Sequence, residues 1–544
     1  MVRGAQSTAH GLSGACTAHP AVLPSGGRIA GRSGVLPCGC LRLLITRIWC
    51  IVYAILCSDK GKEKMSLRRR TPAQIAATCM ACVILLFCAI QSAYAAGETQ
   101  SAAEAELYSR IDAYLQTCVE NAHIPALSVR IVSKDDVLFS GTYGQCGRSD
   151  TPFLLGSVSK SFTAICIMQL VEQQKIDLTA PISTYLPGAT DGDRITVGQL
   201  LNHTGGLGEH QTLENYRIVN KQGVHKYANV NYSLLGKLIE TVSGKPYAEY
   251  LSANVLEPLG LSHTAATLDK SVENGLIDGY TNYWGIPVKT DHAYPASENA
   301  WITVPAGYLS SSAEDLGKYL QMYLNGGDGI VSEKSIDTMF YGDTVYVEGD
   351  IPFWYGYGWA TVREPLPEPV LRHSGLVETG TSCVFILPES EIAIAIAANV
   401  NDYFVTNDMM DSLGWGLVLL LLGEAPNEIA GSTYVFRHLW IDLIMLAVLA
   451  AAILSWCFLP RYVHGLKRGK LRSGTLQLFL LHVCLPACIL LLAPVCFATP
   501  LWVVKAFVPD VFITVISSSA LLLIGGVVKG IILYRCITSA DKRV

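Results

Sequence analysis

Ser157-Val-Ser-Lys160 sets an alcohol three residues ahead of an amine, a spacing that puts both side chains on one face of a helix. Serine at its ordinary pKa is a weak nucleophile, and an amine within hydrogen-bond reach can take its proton. The tetrad is short enough to recur by chance, and it does so at Ser539-Ala-Asp-Lys542. Context separates the two. Gly156 precedes Ser157 and an apolar helical run, Ile165 to Val171, follows Lys160, so Ser157 is expected at a helix amino terminus. There the unpaired N–H groups and the macrodipole lower the cost of an alkoxide and of a tetrahedral oxyanion. Ser539 has no such setting. Seventy residues after Ser157 stands Tyr227-Ala-Asn229, followed by the helical run Val230-Asn-Tyr-Ser-Leu-Leu-Gly-Lys-Leu-Ile-Glu240; 146 residues beyond Tyr227 comes His373-Ser374-Gly375-Leu376.

The elements that must position these residues lie between two apolar regions. The chain has 544 residues, 50% hydrophobic and only 16% charged, a balance that leans towards membrane. A net charge of −5 with no basic stripe argues against a nucleic-acid partner. Met65-Ser-Leu-Arg-Arg-Arg70, an apolar stretch from Ile75 to Ile90 and Ala93-Tyr-Ala95 read as a secretory signal over 65–95 cleaved after Ala95. Residues 1–64 are then expected to be a non-native extension, with translation starting at Met65; the rival reading makes Cys40 to Cys57 a first membrane segment, despite Arg42 and Arg47. Leu439 to Leu459, Leu476 to Phe497 and Val511 to Tyr534 are each long enough to span a bilayer. Arg461, Lys467, Arg468, Lys470 and Arg472 crowd the first connection while the second has only Lys505, which orients the first loop to the cytoplasm and the region before Leu439 outside.

The hydrolytic region is expected over 96–435, with a core over 104–423, ahead of a three-helix membrane region over 436–544. Glu104 to Ala122 has helical spacing, Ala126 to Val132 and Val137 to Tyr143 alternate as a strand pair, and Ser157 to Gln174 is helical again. Tyr355 to Trp359, Cys383 to Leu387 and Ile392 to Ala398 read as strands, the last two joined by a turn at Pro388-Glu-Ser390, and Asp408 to Gly423 reads as an apolar helix. Strands at both ends with helices between imply one antiparallel sheet built from both termini, flanked by helices, plus a helical subdomain. Of the seventeen cysteines, only Cys118, Cys146, Cys166 and Cys383 fall in this region, without metal-ligand spacing; a Cys118 to Cys146 disulfide is compatible with an oxidising compartment but not required by spacing.

Three ordered elements, with Ile195-Thr-Val-Gly-Gln-Leu-Leu-Asn-His-Thr-Gly-Gly-Leu207, Leu256-Glu-Pro-Leu-Gly-Leu-Ser-His-Thr264 and Pro305-Ala-Gly-Tyr-Leu-Ser-Ser-Ser-Ala-Glu-Asp-Leu316, carry a resemblance. The chain resembles the serine β-lactamase and penicillin-binding-protein superfamily, within its class C-like branch that includes esterases, D-amino-acid peptidases and penicillin-binding proteins of low molecular mass. The resemblance implies that Ser157 forms an acyl-enzyme, that Lys160 and Tyr227 move its proton, and that Asn229 holds Lys160 and the substrate amide. It also implies an oxyanion hole from the N–H groups of Ser157 and Leu376, and no metal or organic cofactor. Tyr323-Leu-Asn325 and His203-Thr-Gly205 repeat two of the patterns; His203 reads as a structural corner beside the site, His210, His225 and His263 as surface or loop residues, and Asp315 as a helix cap or support. His373 departs from the lysine usual in the family's third element. At its reference pKa of about 6.5 a histidine is only about one quarter charged at pH 7, which weakens the case for a penicillin carboxylate. The expectation is a membrane-anchored, extracytoplasmic serine hydrolase acting on amide, peptide or ester substrates, with D-amino-acid cell-wall peptides or β-lactams as nearest class. The alternative is a slowly acylating penicillin-binding sensor that signals or scaffolds through its helices. Its partners are a small substrate and the lipid bilayer, with the oligomeric state left open.

Overall fold

The computed structural model describes residues 102–541 apart from 343, 349, 469 and 498. The signal-like segment, the 1–64 stretch and Cys40 to Cys57 lie outside the described residues. The chain divides into two compact units. Of the smaller, Val22–Ala113, only 102–113 are described, and they are helical; every other described residue belongs to the larger.

Thirteen strands are described: β1 (Ala126–Ser133), β2 (Val137–Gly144), β3 (Pro152–Leu154), β4 (Gly279–Tyr283), β5 (Ile286–Thr290), β6 (Ser310–Ser312), β7 (Thr344–Glu348), β8 (Ile351–Tyr355), β9 (Ala360–Val362), β10 (Val370–Val377), β11 (Gly380–Leu387), β12 (Ile392–Ala398) and β13 (Val400–Asn401). The large sheet runs β2-β1-β12-β11-β10-β9-β8-β7, antiparallel throughout. Both termini therefore meet in one sheet, with Ile131 opposite Ile394. In β12 alanines alternate with isoleucines, so one face is shallow. Ala393 and Ala395 share the main core with Leu316 and Leu320 of the Ala313–Leu324 helix, which approaches that shallow face. On the other side the Thr406–Leu421 helix sets Trp415 edge-on to Phe385 of β11, with ring centroids 5.3 Å apart. β4, β5 and β13 make a small second sheet, and β3 pairs with β6.

One strand is displaced from the sequence reading. In Tyr355-Gly-Tyr-Gly-Trp359 only Tyr355, the last residue of β8, is in a strand; residues 356–359 are the turn between β8 and β9. Its glycines explain this: a Cβ on Gly356 would sit 2.0 Å from Met339 O, and one on Gly358, at φ +76°, would sit 2.9 Å from Ser161 Cα. The turn is pressed against the helix that follows Ser157, closer than any side chain permits. Cys118 and Cys146 are buried free thiols, not a disulfide.

Ser157 lies in a 3₁₀ turn, Gly156–Val158, and the α-helix starts only at Ser159, running to Glu172 and buried from Ser159 to Leu170. Strand β3, paired with β6, delivers the chain to that turn, and Ser159 Oγ donates to Gly156 O at 2.7 Å while accepting from Leu309 N–H at 3.1 Å.

Among the described residues, three helices are long and apolar enough to cross a membrane: Gly431–Cys457, Ser473–Cys496 and Pro509–Thr538. Each begins before its expected start. Lys529 on the third donates to Ser455 O on the first (2.8 Å) and to His482 Nε2 on the second (2.9 Å), while His482 Nδ1 donates to Leu522 O. One amine thus staples all three, which satisfies a group that lipid could not.

Gly156 carries the tightest demand near Ser157. Its φ is +53°, and a Cβ there would lie 2.2 Å from Leu376 N and 2.5 Å from Gly375 C. Gly156→Ala must push β10 away from Ser157. It is expected to slow labelling of Ser157 by a fluorophosphonate by about 100-fold, because misplacement near 1 Å at a reacting centre costs about that much. Labelling at the parent rate would show that this close approach does not set the geometry of Ser157.

Candidate active site

Ser157 Oγ stands 2.9 Å from Lys160 Nζ and 2.6 Å from Tyr227 OH. Lys160 is fully buried, and its Nζ also reaches Asn229 Oδ1 at 2.8 Å and Ala306 O at 2.6 Å. Burial pushes its amine well below the ordinary lysine range. A neutral amine has two N–H bonds and one lone pair. Asn229 Oδ1 and Ala306 O can only accept, so they take the two N–H bonds and leave the lone pair for the Ser157 hydroxyl. Burial pushes Tyr227 upward, so its phenol keeps its proton and donates to Ser157 Oγ. The serine oxygen is held between a base on one side and an acid on the other.

Each of these groups is set by one of the flanking strings. In the first, Thr196 caps the Val197–Leu201 helix with a reciprocal bond from Gln199, and the chain then turns through His203 at φ +60°. His203 Nδ1 accepts from Asn231 Nδ2 (2.8 Å) and from Ala228 N–H (3.3 Å), and its ring lies 4.4 Å from that of Tyr227. The start of the Asn229–Ser243 helix has no side-chain cap of its own, so this buried histidine fixes both Tyr227 and Asn229. In the other two strings, Asp315 accepts from His263 N–H (2.7 Å) and Thr264 Oγ1 (2.9 Å), tying the Leu256–Thr264 segment to the one that supplies Ala306 O. His203 and Asp315 are supports, as their sequence settings suggest.

On β10, His373 is buried and faces Tyr355: Tyr355 OH donates to Nε2 at 3.0 Å, and Nδ1 donates to Ser374 O at 2.7 Å. Burial first, then the neighbouring Lys160 and Arg372, push its pKa down to about 3. It is therefore neutral at pH 7, not one quarter charged. Ser374, Gly375 and Leu376 line a cavity of about 640 Å³ together with Ser157 and Tyr227. A Cβ on Gly375 would fall 2.9 Å from Ser157 N, as one on Gly156 would fall 2.2 Å from Leu376 N, so the Gly156–Ser157 and Gly375–Leu376 backbones are pressed together beside the nucleophile. All eight residues singled out in the sequence converge here.

Several lining groups were not anticipated. His225, expected in a loop, is in one but stacks on Tyr346 at 4.6 Å and faces the cavity. Arg372 lies beneath it, 2.9 Å from Asp411 and between the rings of Phe353 and Trp415. Glu348, although exposed, lines the same wall. Ala306 contributes only its carbonyl, which no side-chain pattern reports.

Comparison with known proteins gives the family and the fold. The Beta-lactamase family model matches residues 111–412. Protein flp of Staphylococcus aureus (strain MW2) is 25% identical over 425 residues, covering 71% of this chain and 82% of its own. The putative penicillin-binding protein PbpX of Bacillus subtilis (strain 168) is 32% identical over 203 residues, 35% of this chain and 50% of its own. Among solved structures, the octameric penicillin-binding protein homologue from Pyrococcus abyssi superposes with a TM-score of 0.52 and 27% identity, over 59% of this chain and 79% of that one. A class C β-lactamase shares the fold, with a TM-score of 0.50 at 17% identity, over 60% of this chain and 98% of that one. With more than half its length matched, and a serine, a lysine and a tyrosine brought to one oxygen, the chain belongs to the Beta-lactamase family of serine hydrolase folds.

Proposed function

We propose that this protein is a membrane-anchored, extracytoplasmic serine hydrolase that acts through an acyl-enzyme on amide, peptide or ester substrates, with D-amino-acid cell-wall peptides as the nearest class. The observation that carries this reading is Ser157 Oγ held 2.9 Å from the buried Lys160 amine and 2.6 Å from the Tyr227 phenol. In the first step Ser157 Oγ bonds to the substrate carbonyl carbon and its proton passes to the Lys160 lone pair. The carbonyl oxygen becomes an oxyanion that accepts from the Ser157 and Leu376 N–H groups. The bond to the leaving atom then breaks as Tyr227 gives that atom its proton, and Lys160 restores the proton of Tyr227. Water or an amine attacks the acyl group by the reverse path. Asn229 keeps Lys160 oriented throughout. The apolar helices and the basic connection after the first of them support the anchored, outward-facing arrangement.

Intact-mass analysis of the full-length protein in detergent tests the chemistry. A fluorophosphonate adduct on Ser157, lost in Ser157→Ala and slowed by about 10³-fold or more in Lys160→Met, is expected from the loss of the base. No adduct with a fluorophosphonate, a penicillin or a D-alanyl-D-alanine peptide would defeat the enzyme reading. A penicillin adduct that never turns over would favour the sensor reading instead.

His373 generates two further expectations. Its folded pKa of about 3 lies below the unfolded value of about 6.5, so the unfolded chain binds the extra proton between those limits. The stability contributed by neutral His373 is therefore whole above about pH 6.5 and is lost as pH falls towards 3. His373→Gln should flatten the dependence of unfolding free energy on pH by about 1.4 kcal/mol per unit between about pH 4 and 6, measured by urea titration. An unchanged slope would mean that His373 titrates normally. His373→Lys, which offers a cation beside Ser157, is expected to raise acylation by a penicillin about tenfold more than hydrolysis of a neutral ester, the worth of one charge-assisted hydrogen bond. Equal effects on both substrates would remove the argument from charge.

A further inference from the structure

The β4–β5 hairpin turns through Trp284 and Gly285 at φ +52° and +74°, with Tyr283 paired to Ile286. A two-residue turn with both central residues left-handed favours Asn-Gly or Asp-Gly. A tryptophan in that position is strained, and strain of this kind marks sites where something other than the turn selects the residue. Burial does not select it, because Trp284 is 44% exposed. Ile286 and Val288, at alternate positions of β5 and so on one face of it, are 64% and 42% exposed.

The tip of this hairpin is fastened to two of the apolar helices. Trp284 N–H donates to Asp510 Oδ2 at 3.1 Å, and Tyr434 OH donates to Gly285 O at 3.0 Å. The His438 ring covers Gly285, its nearest atoms 3.3 Å from the position a Cβ would take. Tyr434 and His438 are in the first turns of the Gly431–Cys457 helix, and Asp510 is in the first turn of Pro509–Thr538. Exposed apolar residues of those helices begin at this same level, with Val435 and Phe436 and then Leu439 and Trp440 on the one and Ile513 on the other. Trp284 therefore stands at the level where both helices turn from polar to apolar, the level at which tryptophan is enriched at lipid–water boundaries.

We propose that the hairpin tip at Trp284, with the exposed Ile286 and Val288 of β5, enters the headgroup and acyl-chain boundary of the bilayer that the three helices cross. The catalytic domain is then seated on lipid, not merely tethered to it. The proposal rests on reading those helices as spans. It also ties the lipid surface to the site: at the far end of the hairpin Thr281 Oγ1 donates to Glu378 O at 2.8 Å, and Gly279 is closed off by Thr379. Glu378 and Thr379 form the turn just after Leu376. From Trp284 to Gly279 the strand covers about 17 Å, so the substrate's carbonyl must be delivered close to the membrane surface.

The test uses the full chain in lipid nanodiscs, with a genetically encoded fluorescent amino acid at position 286, 289 or 443 in separate preparations. Lipids brominated high on the acyl chain quench from the bilayer, and iodide quenches from water. Brominated lipid is expected to quench the fluorophore at 286 at least about twofold more than that at 289, with iodide showing the opposite order, as for a partly inserted apolar face. Quenching by lipid at 443 but by iodide alone at 286 would overturn the seating and leave the spans standing. Shielding of 286 from both quenchers would mean that protein, such as a second copy of this chain, covers the face, and would also overturn it. Absence of lipid quenching at 443 would remove the spans and the proposal together. As a second variant, Trp284→Asn suits the turn and should raise the unfolding midpoint in detergent while reducing lipid quenching at 286. A lower midpoint with quenching unchanged would show that the tryptophan serves the turn and not the lipid.

Discussion

A lysine amine without water around it is the constraint on which this structure depends. Lys160 is fully buried, and a charged ammonium there would have to recover a desolvation cost that no nearby carboxylate offsets. The protein does not supply a counter-ion. It supplies two carbonyl oxygens, from Asn229 and Ala306, which match the two N–H bonds of the neutral amine and direct its lone pair at Ser157. The same burial that makes Lys160 a base keeps Tyr227 an acid. One physical cause, exclusion of water, sets both roles in opposite directions because one group is cationic when protonated and the other anionic when deprotonated.

Much of the fold can be traced to keeping water out of that spot. Gly358 lets the β8–β9 turn lie on the backbone of Lys160 and Ser161, and Gly156 and Gly375 let β10 close on the other side at distances a methyl group would forbid. His203 closes the third side, buried against Tyr227, Tyr232 and Tyr355. Through Tyr355 this wall reaches His373 and keeps its ring neutral. Its two ring nitrogens are satisfied by a phenol and a carbonyl, an arrangement that suits only the neutral ring. The cationic character of the cavity is displaced to Arg372, whose charge Asp411 largely answers.

Side-chain chemistry made Ser157, Lys160, Tyr227, Asn229 and the His373–Leu376 strand legible in the sequence, since each needs a particular functional group at a particular place in chain order. The sheet was legible too, because the isoleucine–alanine alternation of β12 and the apolar run of β11 admit few other structures. Ala306 was not, because its contribution is a backbone carbonyl that any residue would present. The Tyr355–Trp359 stretch was misread for a related reason: aromatic residues at alternate positions imitate a strand, while the glycines between them record close approaches to Met339 and Ser161 that only the tertiary structure reveals. Arg372 stayed hidden because a charged residue in a strand usually faces water, and nothing local says that rings of Phe353 and Trp415 will enclose it.

The apolar helices are not an appendage to this arrangement. Val503, Val504, Phe507 and Val508, in the connection between the second and third helices, belong to the same buried cluster as Val158 and Phe162 beside the nucleophile. Asn401 donates to Phe507 O at 3.0 Å, and Asp402 meets His438 at 2.9 Å, both from the strand end that follows β12. A tether needs none of this, since a flexible linker holds a domain near a membrane at little conformational cost. Burying four apolar side chains of the connection in the catalytic core commits the two parts to one orientation, because close-packed interiors shift between discrete arrangements and do not yield gradually. The small sheet that joins the helices to the turn after β10 adds a second fixed contact between the same two parts.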